Sequence, residues 1–327
     1  MYLKRLFLLF LSGFLFFSCE EYEDAIDPYS LGEWKTFTTR DGIGGNEIWT
    51  MLADSKGNIW IATLDNGVTR YDGNSWKTWN TSNGLIDNTV TAIEEDINGD
   101  MWFGTSSGFS ILNASGFNNY TGIGGNIWQV RSLKQADNGS MWIGTWGNGF
   151  FEVKSSGIIS YYNDTWEETN YVNCIDQDMQ GNIWVGTNVG VYRVRPSNVD
   201  FFTVSDGLTT STVKSLMADS WGHVWFGPDD QENITRYDGQ KFSPISLYNG
   251  MPQNYVTSFL EDTQGNIWIG MISNGVIKYD GTIMRSYFNN DGLASNTITA
   301  IVQDTNGNIW FASYEDGITR YKPGFDD

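Results

Sequence analysis

Seven copies of one unit, spaced 40 to 43 residues apart and holding only strand and turn signals, predict an all-β chain folded as a seven-bladed β-propeller of four-stranded blades. Three observations carry this. A Trp within an apolar run recurs at Trp60, Trp102, Trp142, Trp184, Trp225, Trp268 and Trp310. Twelve residues before each stands a β-branched residue (Ile48, Val90, Val130, Val172, Val213, Val256, Ile298), and nine before, an apolar one (Met51, Ile93, Leu133, Ile175, Leu216, Phe259, Ile301). Six before comes Asp in every copy but the third, where Ala136 replaces it.

Within the unit the strands follow in order. In the last copy "NTITAIVQD" reads as the first strand, the Asn-Gly turn after it reverses the chain, and "NIWFAS" is the second. The Gly-containing loop "YEDG" leads to the third strand, "ITRYK", and elsewhere a fourth follows, as in "NSWKTWN" after the Asp72-Gly73 turn. The Asp-x-x-Gly-Asn segments read as tight turns rather than cation sites. Each offers one carboxylate, whereas Ca²⁺ needs about six or more converging oxygens. Each core Trp is expected between sheets, the Gly or Ala that follows it letting neighbouring blades approach.

The fourth strand fixes the closure. Its apolar pairs fall at Trp34/Phe37, Trp76/Trp79, Phe117/Tyr120, Ile159/Tyr162, Val199/Phe202, Phe242/Ile245 and Met284/Tyr287. The first pair precedes the first core Trp, and after Trp310 no such pair remains before the sequence ends. The N-terminal segment "GEWKTFT" is therefore predicted to complete the last blade, removing an exposed sheet edge.

These residues resemble the two-component-regulator propeller repeat, with its Asp-x-x-Gly-Asn-apolar-Trp-apolar-Gly-Thr phrase and a following Gly-apolar-x-Arg-Tyr-Asp. The nearest matches are "DSKGNIWIATLDNGVTRYDG" and "DTQGNIWIGMISNGVIKYDG", and the resemblance runs from Gly32 to Tyr321. It implies a periplasmic sensor propeller of the kind fused to histidine kinases, many of them implicated in glycan sensing. No immunoglobulin-like module, membrane helix or kinase is read after the seventh repeat, so direct phosphorelay is not expected. The repeats are also similar to those of streptogramin-type propeller lyases, which implies a face pocket with His residues and a metal-binding carboxylate. His223, the sole His, falls in a turn on the opposite face, so that activity is not expected.

The chain's start reads as an export signal. "MYLKRLFLLFLSGFLFFSC" has a basic beginning, a 12-residue apolar run from Leu6 to Phe17, then Ser18-Cys19. The run is short for a bilayer about 30 Å thick. The segment resembles a bacterial lipoprotein box, which implies cleavage before Cys19 and lipid on its thiol. The acidic stretch "EEYEDAIDPYS" after it resembles the surface-export signals of lipoproteins in Bacteroides-like bacteria. The expected organisation is a signal over residues 1–18, a tether over 19–31 and the propeller over 32–327, anchored at the outer membrane and facing the surface or the periplasm. Cys174, in an apolar strand pattern, is expected to be an inert thiol. With 39 acidic against 19 basic residues and a net charge of −20, the chain repels phosphate backbones, and no nucleic-acid partner is expected.

Variation among the copies points to function, since scaffold positions repeat and binding positions need not. In a propeller the loops from fourth to first strand and from second to third share one face. There stand Trp128, Trp146, Trp166, Tyr314, the acidic insert "PDDQEN" and the departure "NDTWEETN". Eleven residues before each core Trp, near the mouth of the central channel, the series is Trp49, Thr91, Arg131, Asn173, Lys214, Thr257 and Thr299. Beside it runs Glu47, Thr89, Gln129, Tyr171, Thr212, Tyr255 and Thr297. Aromatic faces stack on sugar rings, and amides or guanidinium groups answer hydroxyls and carboxylates. The expected ligand residues are Trp49, Trp128, Arg131, Trp146, Tyr171, Lys214, Tyr255 and Tyr314. The expected function is a monomeric, membrane-anchored module binding a glycan or a protein partner, with no cofactor and no metal. Two alternatives stand beside it: an accessory signalling component, and a lyase or hydrolase using carboxylates among Glu47, Asp164, Glu167, Glu168, Asp229, Asp230 and Glu315.

Overall fold

The computed structural model describes residues 32–122, 128–154, 157–160, 170–230, 233–246 and 255–324. The expected signal, tether and Cys19 lie outside these residues, as do Tyr162, Asp164, Trp166, Glu167 and Glu168. Among the described residues the chain forms seven antiparallel sheets of four strands each. We number the blades by their core Trp, from blade one at Trp60 to blade seven at Trp310. Within each of blades one to six the four strands pair in chain order, and first strands of successive blades lie side by side around the ring.

Blade seven closes as the sequence predicts. Strand Glu33–Phe37 pairs antiparallel with Ile318–Lys322, Trp34 opposite Tyr321 and Phe37 opposite Ile318. The two aromatics face opposite neighbours. Trp34 packs on Tyr321 and Phe311 and reaches Tyr287 of blade six, at ring distances of 4.3, 5.9 and 5.6 Å. Phe37 stacks on Trp310 at 5.5 Å within a cluster shared with Ile43 and Ile48 of blade one.

Between blades, one contact recurs. The β-branched residue twelve before each Trp is at most 1% exposed in all seven copies. It enters the notch left by the small residue two after the preceding blade's Trp. A Cβ on Gly104 would stand 2.5 Å from Val130 Cγ1, so no larger side chain fits there.

The repeated Asp has a second use beyond the turn. Asp262 accepts the indole N–H of Trp268 at 2.8 Å and the main-chain N–H groups of Gln264 and Asn266 at 2.9 Å each. Asp54, Asp96, Asp178, Asp219 and Asp304 hold their own Trp in the same way, at 2.7 to 3.1 Å. These carboxylates are occupied by the turns that contain them, as the turn reading requires. His223 takes the place of the usual Asn and places Nδ1 2.9 Å from Asp219.

Candidate functional site

In every blade the residue eleven before the Trp is a β-bulge. The ladder between first and second strands skips Trp49, Thr91, Arg131, Asn173, Lys214, Thr257 and Thr299 in turn. A bulge leaves its extra residue unpaired and re-aims its side chain. Here all seven line one cavity of about 700 Å³. Below this ring come small residues, among them Ala92, Ser132, Cys174 and Ser215, and then the apolar ring from Met51 to Ile301. The cavity is a funnel, polar at its rim and apolar within.

The loops after the second strands complete the rim. Four residues past the core Trp, a main-chain N–H donates to the carbonyl thirteen before it. This occurs from Trp146 to Gln129 at 2.8 Å, from Ile272 to Tyr255 at 3.1 Å and from Tyr314 to Thr297 at 3.3 Å. Trp146, Asp229, Ile272 and Tyr314 thereby join the cavity wall. The two loop sets share this face, as the strand order predicts.

Of the eight expected ligand residues, Trp49, Arg131, Trp146, Lys214, Tyr255 and Tyr314 line the cavity. Tyr171 stands just behind, its ring edge-on to Trp146 at 4.8 Å. Trp128 does not reach the cavity. It is 2% exposed and stacked on Phe151 at 4.2 Å within the blade core. Of the carboxylates weighed for catalysis, Asp229 is the one on the cavity wall among the described residues, 3.8 Å from Lys214. His223 lies in its turn with Asp219, away from this cavity.

Arg131 sits between two indoles. Its guanidinium lies 5.3 Å from the Trp49 ring and 4.8 Å from the Trp146 ring, and burial pushes its pKa down. Cys174, half-buried on the same wall, has its thiol pKa raised well above the ordinary value by burial, in keeping with an inert group. The sequence placed the rim residues by counting from the Trp. It did not show the bulge, which has no residue signature: Thr, Trp, Arg, Asn and Lys all occupy it.

The comparisons agree with this architecture. No curated protein matches the chain in sequence. Among solved structures, the extracellular domain of the hybrid two component system BT3049 from B. thetaiotaomicron superposes with a TM-score of 0.78 at 22% identity, covering 89% of this chain and 41% of that one. Virginiamycin B lyase from Staphylococcus aureus gives 0.72 at 15% identity over 89% of this chain and 98% of the lyase. PorZ, a surface component of the type-IX secretion system of Porphyromonas gingivalis, gives 0.70 at 18% identity over 87% and 48%. At these identities the likeness is one of fold, and the chain spans about two-fifths of the length of the sensor domain. The two component regulator propeller family matches residues 42–65, 84–107, 167–189, 250–273 and 292–315. Each match spans the stretch from before the first strand to just past a core Trp, in blades one, two, four, six and seven. On these five blades the chain carries the two-component regulator propeller repeat.

Proposed function

We propose that this chain is an exported binding propeller whose channel mouth captures a glycan. The observation that supports this best is the rim itself. Trp49, Trp146, Tyr255 and Tyr314 surround a cavity of about 700 Å³, with the hydroxyl oxygens of Thr257 and Thr299 and the amide oxygen of Asn173 between them, each keeping acceptor lone pairs after its donor is tied to the next blade. Aromatic faces for sugar rings, beside polar groups that fix orientation, are what a saccharide site requires. Propellers of this fold form part of the extracellular domains of two-component systems, which favours a role in sensing or presenting the ligand outside the cell. Attachment through lipid on Cys19 belongs to this reading, and metabolic labelling with a lipid precursor, lost in Cys19→Ser, checks it.

The direct test is thermal: the melting temperature of the chain against a panel of neutral and acidic oligosaccharides. A ligand present at 100 times its Kd adds about 2.7 kcal/mol, an upward shift of several degrees. Trp49→Ala is expected to abolish the shift without lowering the unliganded melting point by more than about 2 °C, because the bulge residue is outside the ladder. If no glycan raises the melting temperature, the rim serves a protein partner instead. Sugar cleavage by the purified chain would sink the binding-only reading.

A further inference from the structure

We propose that the mouth is built for the carboxylate of an acidic saccharide, a uronic acid residue, with the Arg131 guanidinium as its receptor. This rests on the glycan reading above and specifies the class of sugar.

The inference starts from a division among the seven bulge residues. Four of them tie their blade to the next. Asn173 Nδ2 donates to the Val213 carbonyl at 3.0 Å, Thr257 to that of Ile298 at 2.6 Å, Thr299 to that of Ile48 at 3.0 Å, and Thr91 to that of Val130. Trp49, Arg131 and Lys214 make no such tie, and Lys214 is turned toward Asp229. Arg131 has neither an ion pair nor a hydrogen-bond acceptor among the described residues. Its neighbours are the two indoles.

A guanidinium carries five N–H donors in one plane, and leaving them unanswered in a partly desolvated place is unfavourable. Indoles satisfy its faces but not its edge. An acceptor must therefore arrive in the plane, where a carboxylate forms two parallel charge-assisted bonds. Burial lowers the pKa of Arg131 with no neighbouring carboxylate opposing it, the reverse of a structural ion pair. The Trp146 wall of the cage is braced by the fold itself. Trp146 is fixed by its N–H bond to Gln129, by Gly147 N–H to Asn170 O at 3.0 Å, and by the Tyr171 ring. The overall charge narrows the ligand further. A net charge of −20 repels a densely sulfated polymer, whereas one carboxylate within a few Å of Arg131 is governed by the local cation.

Calorimetric titration of the full chain tests this with trisaccharides of galacturonate, glucuronate and mannuronate, each paired with its carboxyl-reduced neutral counterpart. At least one acid is expected to bind ten- to a hundredfold more tightly than its neutral partner, about what a charge-assisted pair supplies, with the margin shrinking as salt rises. Arg131→Gln should bring the acid down to the level of its neutral counterpart. Arg131→Lys, which keeps the charge without the fork, should retain part of the margin and stands in if the Gln variant misfolds. Equal binding of acid and neutral sugars by the native chain overturns the acid assignment and leaves the glycan reading standing. An undiminished margin in both variants places the carboxylate elsewhere and also overturns it. Binding of none of the six sugars overturns the acid assignment, and the wider panel above then decides the glycan reading.

Discussion

At the scale of single residues, the repeated Asp and Trp act as one device. The carboxylate of Asp262 is 7% exposed and gathers two main-chain N–H groups and an indole N–H, all of which lose their acceptor in Asp262→Ala. Charge-assisted bonds of this kind contribute about 1.5–3 kcal/mol each, and buried donors left unmatched cost a comparable amount. We expect Asp262→Ala to destabilise the chain by about 2–4 kcal/mol in urea unfolding, and a loss under about 0.5 kcal/mol would show the turn to hold without it. Both partners were visible in the sequence as a spacing of six; their bond was not, since spacing does not say where an indole edge points. Trp128 shows the converse limit. Its place in an irregular loop marked it as a rim residue, yet its ring stacks on Phe151 in the core. Nothing in a single sequence separates an aromatic that lines a mouth from one that turns inward behind it.

At the scale of elements, the closing strand was the most legible feature, because an apolar pair missing at one end and surplus at the other leaves one solution. Strand Glu33–Phe37 carries one aromatic to each neighbouring seam. Deleting Gly32 to Thr39 removes Trp34 and Phe37 together, each a burial of about 1.5–3 kcal/mol, and bares the edge of Ile318–Lys322. A fall in melting temperature on the order of 10 °C is expected by calorimetry. If the truncated chain melts within about 2 °C of the parent, the strand is an ornament and the ring holds by its other five seams. The bulges were illegible for a related reason: their register depends on pairing partners, and the residue types at that place obey no rule a reader of one sequence could apply.

At the scale of the whole molecule, charge is distributed unevenly around the ring. Eight residues before the Trp, blades two, three and four carry Glu94, Lys134 and Asp176, where the other blades carry Leu52, Met217, Leu260 and Val302. Lys134 pairs with Asp176 at 2.7 Å, and Glu94 accepts the Gln135 N–H at 3.0 Å across a seam. Burial pushes the pKa of Glu94 up to about 7 from 4.5, with Lys134 pulling the other way. A carboxyl raised on folding binds its proton more tightly in the native state, so its contribution to stability is full below about pH 4.5 and declines as pH rises through about 7. Melting curves between these limits should show the native chain losing on the order of 1–3 kcal/mol relative to Glu94→Gln as pH rises. A constant gap between the two across that window would mean that Glu94 is ionised throughout. The same ring viewed from the mouth has a different consequence. A residue outside the ladder can be exchanged without moving any strand pair, and giving up a threonine tie there forgoes about 1 kcal/mol. The seven bulges are thus a short text written on a circle, open to revision one letter per blade, in which Trp49, Arg131 and Lys214 stand where the other four blades spend the same place on a tie to their neighbour.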